Sequence, residues 1–230
     1  TFLVVLERLS SPAYVLAGKI SNQEQIDNIR RQLGVDQPYW VQLWIFIKQI
    51  LTAVSWLGLK LAGWKLEGQP PLEKKYVLIA VPHTTNWDFP ITLAMAFLFK
   101  FDIFWMGKDS LFKGAFGPVM RWLGGIPVNR SASSNLVQQT IDAFNANDKL
   151  VITIPPEGTR SRVEKWKTGF YYIALGAKVP IALGFLDYKR KVGGFLPTFY
   201  PTGNADKDIA EIRKFYANIS GLRADQCHID

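Results

Sequence analysis

The stretch Tyr76-Val77-Leu78-Ile79-Ala80-Val81-Pro82-His83-Thr84-Thr85-Asn86-Trp87-Asp88 reads as a strand that runs into a loop. Six apolar residues in a row fit a strand covered on both faces, as parallel sheets are. A helical run, Phe89 to Lys100, follows with Pro90 near its start. His83 therefore lies at a strand-to-helix crossover, with a carboxylate five residues on. Asp88 is placed to hold one ring nitrogen while the other takes a proton from an attacking hydroxyl. A bare His-x4-Asp also fits a surface loop whose aspartate caps a helix, so the motif gains weight only from its neighbours.

From this stretch to the C-terminus, strand-like and helix-like runs alternate. Strands are expected at Tyr76–Val81, Phe101–Met106, Ile126–Val128, Leu150–Ile154, Val179–Leu186 and Gly194–Tyr200. Helices are expected at Phe89–Lys100, Phe116–Leu123, Asn135–Ala146, Thr168–Ala177 and Ala205–Ile219. Alternation of this kind implies βαβ units. The expected fold is α/β: a single domain with a mostly parallel mixed sheet flanked by helices, over residues 71–230. The short basic link Tyr188–Gly193 predicts a hairpin, and so an antiparallel pair at that side of the sheet.

Before this domain, residues 1–70 read as an N-terminal helical segment. Thr1 to Leu6 is apolar, but it is short, lacks preceding basic residues and has no cleavage site, so it is not read as a signal peptide. Ser21-Asn22-Gln23-Glu24 has capping-box spacing and Gly34 can end a helix, which predicts a short helix over 21–33. Tyr39 to Trp64 is more unusual. Lys48 and Lys60 interrupt an otherwise apolar run, and on a helical wheel they share one sector with Gln42, Gln49, Thr52 and Ser55. The pattern predicts a membrane-associating helix lying in the bilayer interface. A helix packed on the domain and a tilted span with snorkelling lysines fit the same residues.

Composition narrows the partners. The 230 residues include 15 Phe, 8 Trp and 8 Tyr, and the formal net charge is +8. Aromatics favour membrane interfaces, and the positive excess favours an anionic partner. The basic residues are dispersed and form no recognised nucleic-acid motif, so nucleic acid is not expected. The lone cysteine, Cys227, excludes an internal disulfide. Cys227, His228 and Asp230 have metal-ligand side chains but sit in the tail, and no metal is assigned.

Two further turns follow strands. Gly124-Gly125-Ile126-Pro127-Val128-Asn129-Arg130 places a glycine turn before a strand and an arginine after it. Pro155-Pro156-Glu157-Gly158-Thr159-Arg160-Ser161-Arg162 closes the strand that begins at Leu150. Ligands in open α/β sheets sit beyond the carboxyl ends of the strands, so these turns are expected to share a crevice with His83. Gly158 lets backbone N–H groups approach an anion, and Arg130 and Arg160 can grip phosphate oxygens. Lys108 and Lys113 are placed to meet a donor phosphate or a membrane surface, or to remain solvated.

These blocks, with Val179-Pro180-Ile181, resemble the four ordered blocks of the glycerolipid acyltransferases, and most of all the bacterial 1-acylglycerol-3-phosphate acyltransferases. The resemblance spans roughly residues 75–190. It implies that His83 is the general base on an acceptor hydroxyl and that Asp88 orients it. It implies that Glu157, Gly158, Thr159 and Arg160, with Arg130, bind the acceptor's phosphate. It further implies a lysophospholipid acceptor, acyl-CoA or acyl-carrier protein as co-substrate and no cofactor. Such an enzyme would be a peripheral or monotopic membrane protein on the cytoplasmic face of the inner membrane. Two residues depart from the pattern: Asn129 stands where an acidic residue often precedes the arginine, and bulky Trp87 adjoins the expected catalytic pair. Other acceptors (a lyso-amino-lipid, a glycolipid, glycerol-3-phosphate) and a non-catalytic membrane-binding module are the competing readings.

Overall fold

A computed structural model describes residues 37–128, 136–160 and 163–223. The helix expected over 21–33, Asn129, Arg130, Arg162 and the Cys227–Asp230 tail lie outside the described residues. The described residues fall into two units that divide between Val54 and Ser55.

One helix, α1 (Tyr39–Leu61), crosses that division. Among the described residues it is the helix long and apolar enough to cross a membrane, by length and composition. Along its length Lys48 lies over the Trp44 ring at 4.9 Å and Lys60 over the Trp56 ring at 4.5 Å. Each lysine thus shares a helix face with an indole one turn earlier. Within the second unit its last turn buries Leu59 against Met95 and Leu186, while Trp56, Leu57 and Leu61 stay exposed.

The second unit is α/β. Its elements are β1 (Lys65–Glu67), β2 (Lys75–Val81), α2 (Asp88–Phe99), β3 (Phe104–Lys108), a 3-10 turn (Asp109–Phe112), α3 (Gly117–Trp122), β4 (Gly125–Val128), α4 (Leu136–Ala146), β5 (Leu150–Thr153), α5 (Gly169–Ala177), β6 (Ile181–Asp187), β7 (Val192–Phe195) and α6 (Ala205–Phe215). The sheet runs β1-β7-β6-β2-β5-β3-β4. Every neighbouring pair is parallel except β6 with β7. The antiparallel hairpin is as the short link predicts, although β1 adds a parallel strand outside it. Three exposed residues carry too little pattern to reveal β1 in the sequence.

β2 is the central strand, and its composition follows from that position. Val77, Ile79 and Val81 enter one core with Phe144, Phe170, Tyr171, Ile181, Ile212 and Tyr216. Tyr76 and Leu78 enter another on the opposite face with Val151, Ala182 and Phe195. With both faces covered, the strand is apolar from Tyr76 to Val81 rather than alternating.

Several boundaries differ from expectation for local reasons. β3 starts at Phe104, because Phe101 is spent on the core, packed edge-on against Phe195 at 5.8 Å. β7 ends at Phe195, just ahead of Pro197, which has no N–H to give to a ladder. A single bridge, Ile181 to Phe199, is what remains of the longer strand. α6 stops at Phe215, and Tyr216 turns into the core to donate its hydroxyl hydrogen bond to the Gly184 carbonyl at 3.2 Å.

Phe144, on α4, is fully buried among the sheet-covering helices. Phe144→Ala should destabilise the domain by about 3–5 kcal/mol, through lost transfer energy and the cavity left behind. Urea denaturation followed by far-UV circular dichroism measures it. A loss below about 1 kcal/mol would mean that this helix does not close the core.

Candidate active site

Three adjacent parallel strands deliver the site. β2 pairs with β5 through Leu78↔Thr153 and with β6 through Val81↔Phe185. Their carboxyl ends therefore emerge side by side, with His83 past β2, Glu157 past β5 and Tyr188 past β6. Strand neighbours lie about 4.8 Å apart, so side chains at these exits meet without long loops.

Asp88 is the first residue of α2 and is 4% exposed. Its Oδ2 lies 3.1 Å from His83 Nδ1. The same oxygen accepts the backbone N–H groups of Thr84 and Thr85, each at 2.8 Å. Its Oδ1 accepts the Thr85 hydroxyl at 3.2 Å and the Tyr188 hydroxyl at 2.6 Å. Thr85 Oγ1 in turn accepts the Trp87 N–H at 2.9 Å. The carboxylate is thus an organiser of the whole 83–88 loop, and its position at a helix N-terminus suits its charge. Burial alone would raise its pKa. Hydrogen bonds from His83, Tyr188 and Thr85 outweigh that and hold the carboxyl below the ordinary aspartate range.

The imidazole is oriented but reachable: the His83 side chain keeps 27% exposure against 6% for Asp88. With Nδ1 held by the carboxylate, Nε2 is the ring nitrogen left to exchange a proton.

Glu157 approaches from the other strand. Its Oε1 accepts the His83 backbone N–H at 3.1 Å, whereas its buried Oε2 has no hydrogen-bond partner. Burial pushes its carboxyl above the ordinary glutamate range, with the His83 N–H only partly opposing. Glu157 therefore fixes the backbone that carries the imidazole.

The turn beyond Glu157 requires its glycine. Gly158 has φ +66°, and a Cβ there would fall 2.8 Å from Lys167 Cδ and Cε and 2.9 Å from Nζ. The end of the Lys167 side chain thus lies over the turn, and the Lys167 N–H is tied to the Pro156 carbonyl at 2.8 Å. Arg160 donates from Nη1 to Asn86 Oδ1, which joins this exposed turn to the His83 loop. Thr159 is exposed on the same turn. Lys108 is exposed at the end of β3. It lies two strands from β2, about 10 Å away across the sheet.

The structure therefore gathers His83, Asp88, Glu157, Gly158 and Arg160 and places Lys108 farther off. Reading the sequence does not reveal Tyr188, Asn86 or Lys167 as neighbours of this site. Strand pairing could have pointed to Tyr188, because it directly follows β6, a strand adjacent to β2. Among the described residues, no group of three His, Cys, Asp or Glu side chains is placed to hold a metal ion.

The chain is similar to known proteins in sequence and in fold. Residues 64–182 match the Acyltransferase family model, and the chain belongs to that family. Residues 1–96 also match a model described as the N-terminal part of a binding-protein-dependent transport system membrane component, which covers less than half the chain. Over 113 residues the chain is 33% identical to the 1-acyl-sn-glycerol-3-phosphate acyltransferase of Streptococcus pneumoniae (strain ATCC BAA-255 / R6), covering 49% of this chain and 41% of the relative. The chain thus spans about two fifths of that relative's length. Its fold is similar to the crystal structure of the 1-acyl-sn-glycerophosphate (LPA) acyltransferase PlsC from Thermotoga maritima. That likeness has a TM-score of 0.53 and 12% identity, over 96% of this chain and 94% of the other.

A carboxyl held below its unfolded pKa binds fewer protons in the folded state than in the unfolded one. Its contribution to stability is complete above the unfolded value and is lost as pH falls through the folded value. Asp88→Asn should therefore be less stable than wild type at neutral pH, and the gap should narrow as pH drops below the ordinary aspartate range. Urea denaturation at stepped pH reads the gap. If the gap does not vary with pH, charge is not what Asp88 contributes.

Proposed function

We propose that this chain is an O-acyltransferase that moves a fatty acyl group from an acyl thioester to the hydroxyl of a lysophospholipid, 1-acylglycerol-3-phosphate, to give phosphatidic acid. The observation that carries this reading is the His83 Nδ1–Asp88 contact at 3.1 Å at the mouth of the central strands. It leaves Nε2 to act as general base. His83 takes the hydroxyl proton as that oxygen attacks the thioester carbonyl. The carbon–sulfur bond then breaks, and the proton goes to the departing thiolate. Backbone N–H groups around the Gly158 turn are the candidates to meet the oxyanion, whereas the Gly124-Gly125 turn precedes β4 and so lies at the opposite end of the parallel strands from His83. The chain has no Gly-x-Ser-x-Gly elbow, and its one cysteine is Cys227, so direct attack is preferred to an acyl-enzyme.

The family match and the identity to a 1-acyl-sn-glycerol-3-phosphate acyltransferase support the acceptor. The cationic turn supports it too, since Arg160 and Lys167 flank Gly158. Arg130 is the second arginine that the resemblance assigns to the phosphate. The donor is acyl-CoA or acyl-carrier protein, and no cofactor is needed for the steps given.

A lipid acceptor calls for a bilayer, and α1 supplies an apolar element of about 35 Å. Its two tryptophan–lysine pairs suit a membrane interface, where an indole and a snorkelling ammonium both reach water. We infer a protein bound at the cytoplasmic face, where the thioester donors are.

Thiol release from acyl-CoA, measured over a panel of lysolipids, tests the chemistry. His83→Ala should lower kcat by at least about 10²-fold with the fold intact. Arg160→Ala should cost about 1.5–3 kcal/mol in kcat/KM for lysophosphatidic acid relative to neutral acceptors. Near-normal turnover by His83→Ala removes this mechanism, and unchanged acceptor selection by Arg160→Ala removes that phosphate contact.

Vesicle flotation tests the membrane role. Replacing Leu43 and Ile47 by Glu should release the protein from anionic liposomes, whereas Thr52→Glu, on the polar face, should release much less. High salt should release only part, since it screens charge and leaves the apolar term. Wild-type protein that stays in solution at low salt contradicts the role given to α1.

A further inference from the structure

Asp88 needs more than a helix position to orient an imidazole. The terminal torsion of an aspartate is broad and roughly two-fold, so packing alone leaves its plane poorly fixed. Rotation about that bond would carry Oδ2 away from His83 Nδ1. Oδ2 is tied to the 83–88 loop by Thr84 and Thr85, but those groups belong to the same short loop and can move with it. The tie from outside the loop is on the other oxygen, where Tyr188 donates its hydroxyl at 2.6 Å, across 100 residues of sequence. A distance that short is typical of a charge-assisted O–H···O⁻ bond.

Tyr188 is itself held from three directions. It follows β6 directly, and its backbone N–H donates to the Ser220 carbonyl at 2.9 Å. Its ring meets Trp64 edge-on, with centroids 5.0 Å apart and planes at 85°. The Trp64 backbone N–H donates to the Leu59 carbonyl at 2.8 Å, and both rings pack on the cluster of Leu59, Met95 and Leu186. Burial first, and the Asp88 bond second, push the Tyr188 phenol well above its ordinary range, so it remains a donor at any working pH.

We propose that Tyr188 is a positioning residue for the His83–Asp88 pair and that Trp64 holds it in place. The last turn of α1 is thereby packed onto the catalytic carboxylate through two aromatic side chains. This rests on the functional reading above and adds a residue to it from outside the matched blocks. Tyr188 touches no reacting atom. It locks the plane of Asp88, and Asp88 locks the imidazole.

Tyr188→Phe keeps the ring and its contact with Trp64 and removes only the hydroxyl. In the full chain, assayed by thiol release from acyl-CoA with lysophosphatidic acid, kcat should fall by about 10-fold or more, the scale of one hydrogen bond to a charged group. Both KM values should stay within about twofold, and the melting temperature within a few degrees, because binding groups and packing are untouched. Trp64→Ala should also lower kcat, and Trp64→Phe should restore most of it by replacing the edge contact. Wild-type kcat in Tyr188→Phe overturns the proposal. So does a loss confined to KM, or one that tracks a collapsed melting temperature. Wild-type protein that releases no thiol with any lysolipid removes the functional reading itself, an outcome distinct from an active wild type with an equally active Tyr188→Phe.

Discussion

A single buried carboxylate holds the functional end of this molecule together. Five groups lie within hydrogen-bond distance of Asp88: His83 Nδ1, the Thr84 and Thr85 amides, and the Thr85 and Tyr188 hydroxyls. An ionised carboxylate with no such partners would be costly at this depth. Here the donors more than compensate, and the outcome is a loop whose shape, imidazole orientation and charge all depend on one side chain. Removing the carboxylate would leave several buried donors unpaired at once, so the site is expected to respond to change at Asp88 as a unit.

That carboxylate can do this only because the sheet brings its partners to one place. β2 lies between β5 and β6, and both pairings are parallel, so three consecutive strand exits face the same way. The order is a topological switch: the chain leaves β2 for β3 and β4 on one side, returns as β5 and then crosses to β6. Crevices at such points are where open α/β sheets place ligands. Packing energy from the two cores on β2 thus fixes the distances between groups far apart in sequence.

Much of this is legible in the residues themselves. The six-residue apolar run of β2 fits a strand in a sheet covered on both sides, and that is where it lies. His83, Asp88 and the Gly158 turn follow strands in an order that predicts their convergence. What escaped is tertiary. Tyr188 looks like part of a basic hairpin link, and nothing local to it points to a carboxylate 100 residues earlier. Lys167 belongs to no motif, and its approach to the Gly158 turn is made by the fold, with its N–H tied to the Pro156 carbonyl. Expected strands overran where Phe101 left β3 for the core and where Pro197 cut β7 short, both cases of packing or hydrogen bonding overriding local pattern.

The contact between Asp88 and His83 Nδ1 predicts that the carboxylate fixes the imidazole in one tautomer, with Nδ1 protonated and Nε2 free. The chain has only two histidines, so protein labelled with 15N-histidine yields an easily assigned spectrum, and His83→Ala identifies the resonances of His83. With the imidazole neutral, His83 should show a protonated-type Nδ1 shift and an unprotonated-type Nε2 shift, and Asp88→Asn should abolish that preference. An Nε2–H tautomer, or an even mixture of both in wild type, would contradict the account.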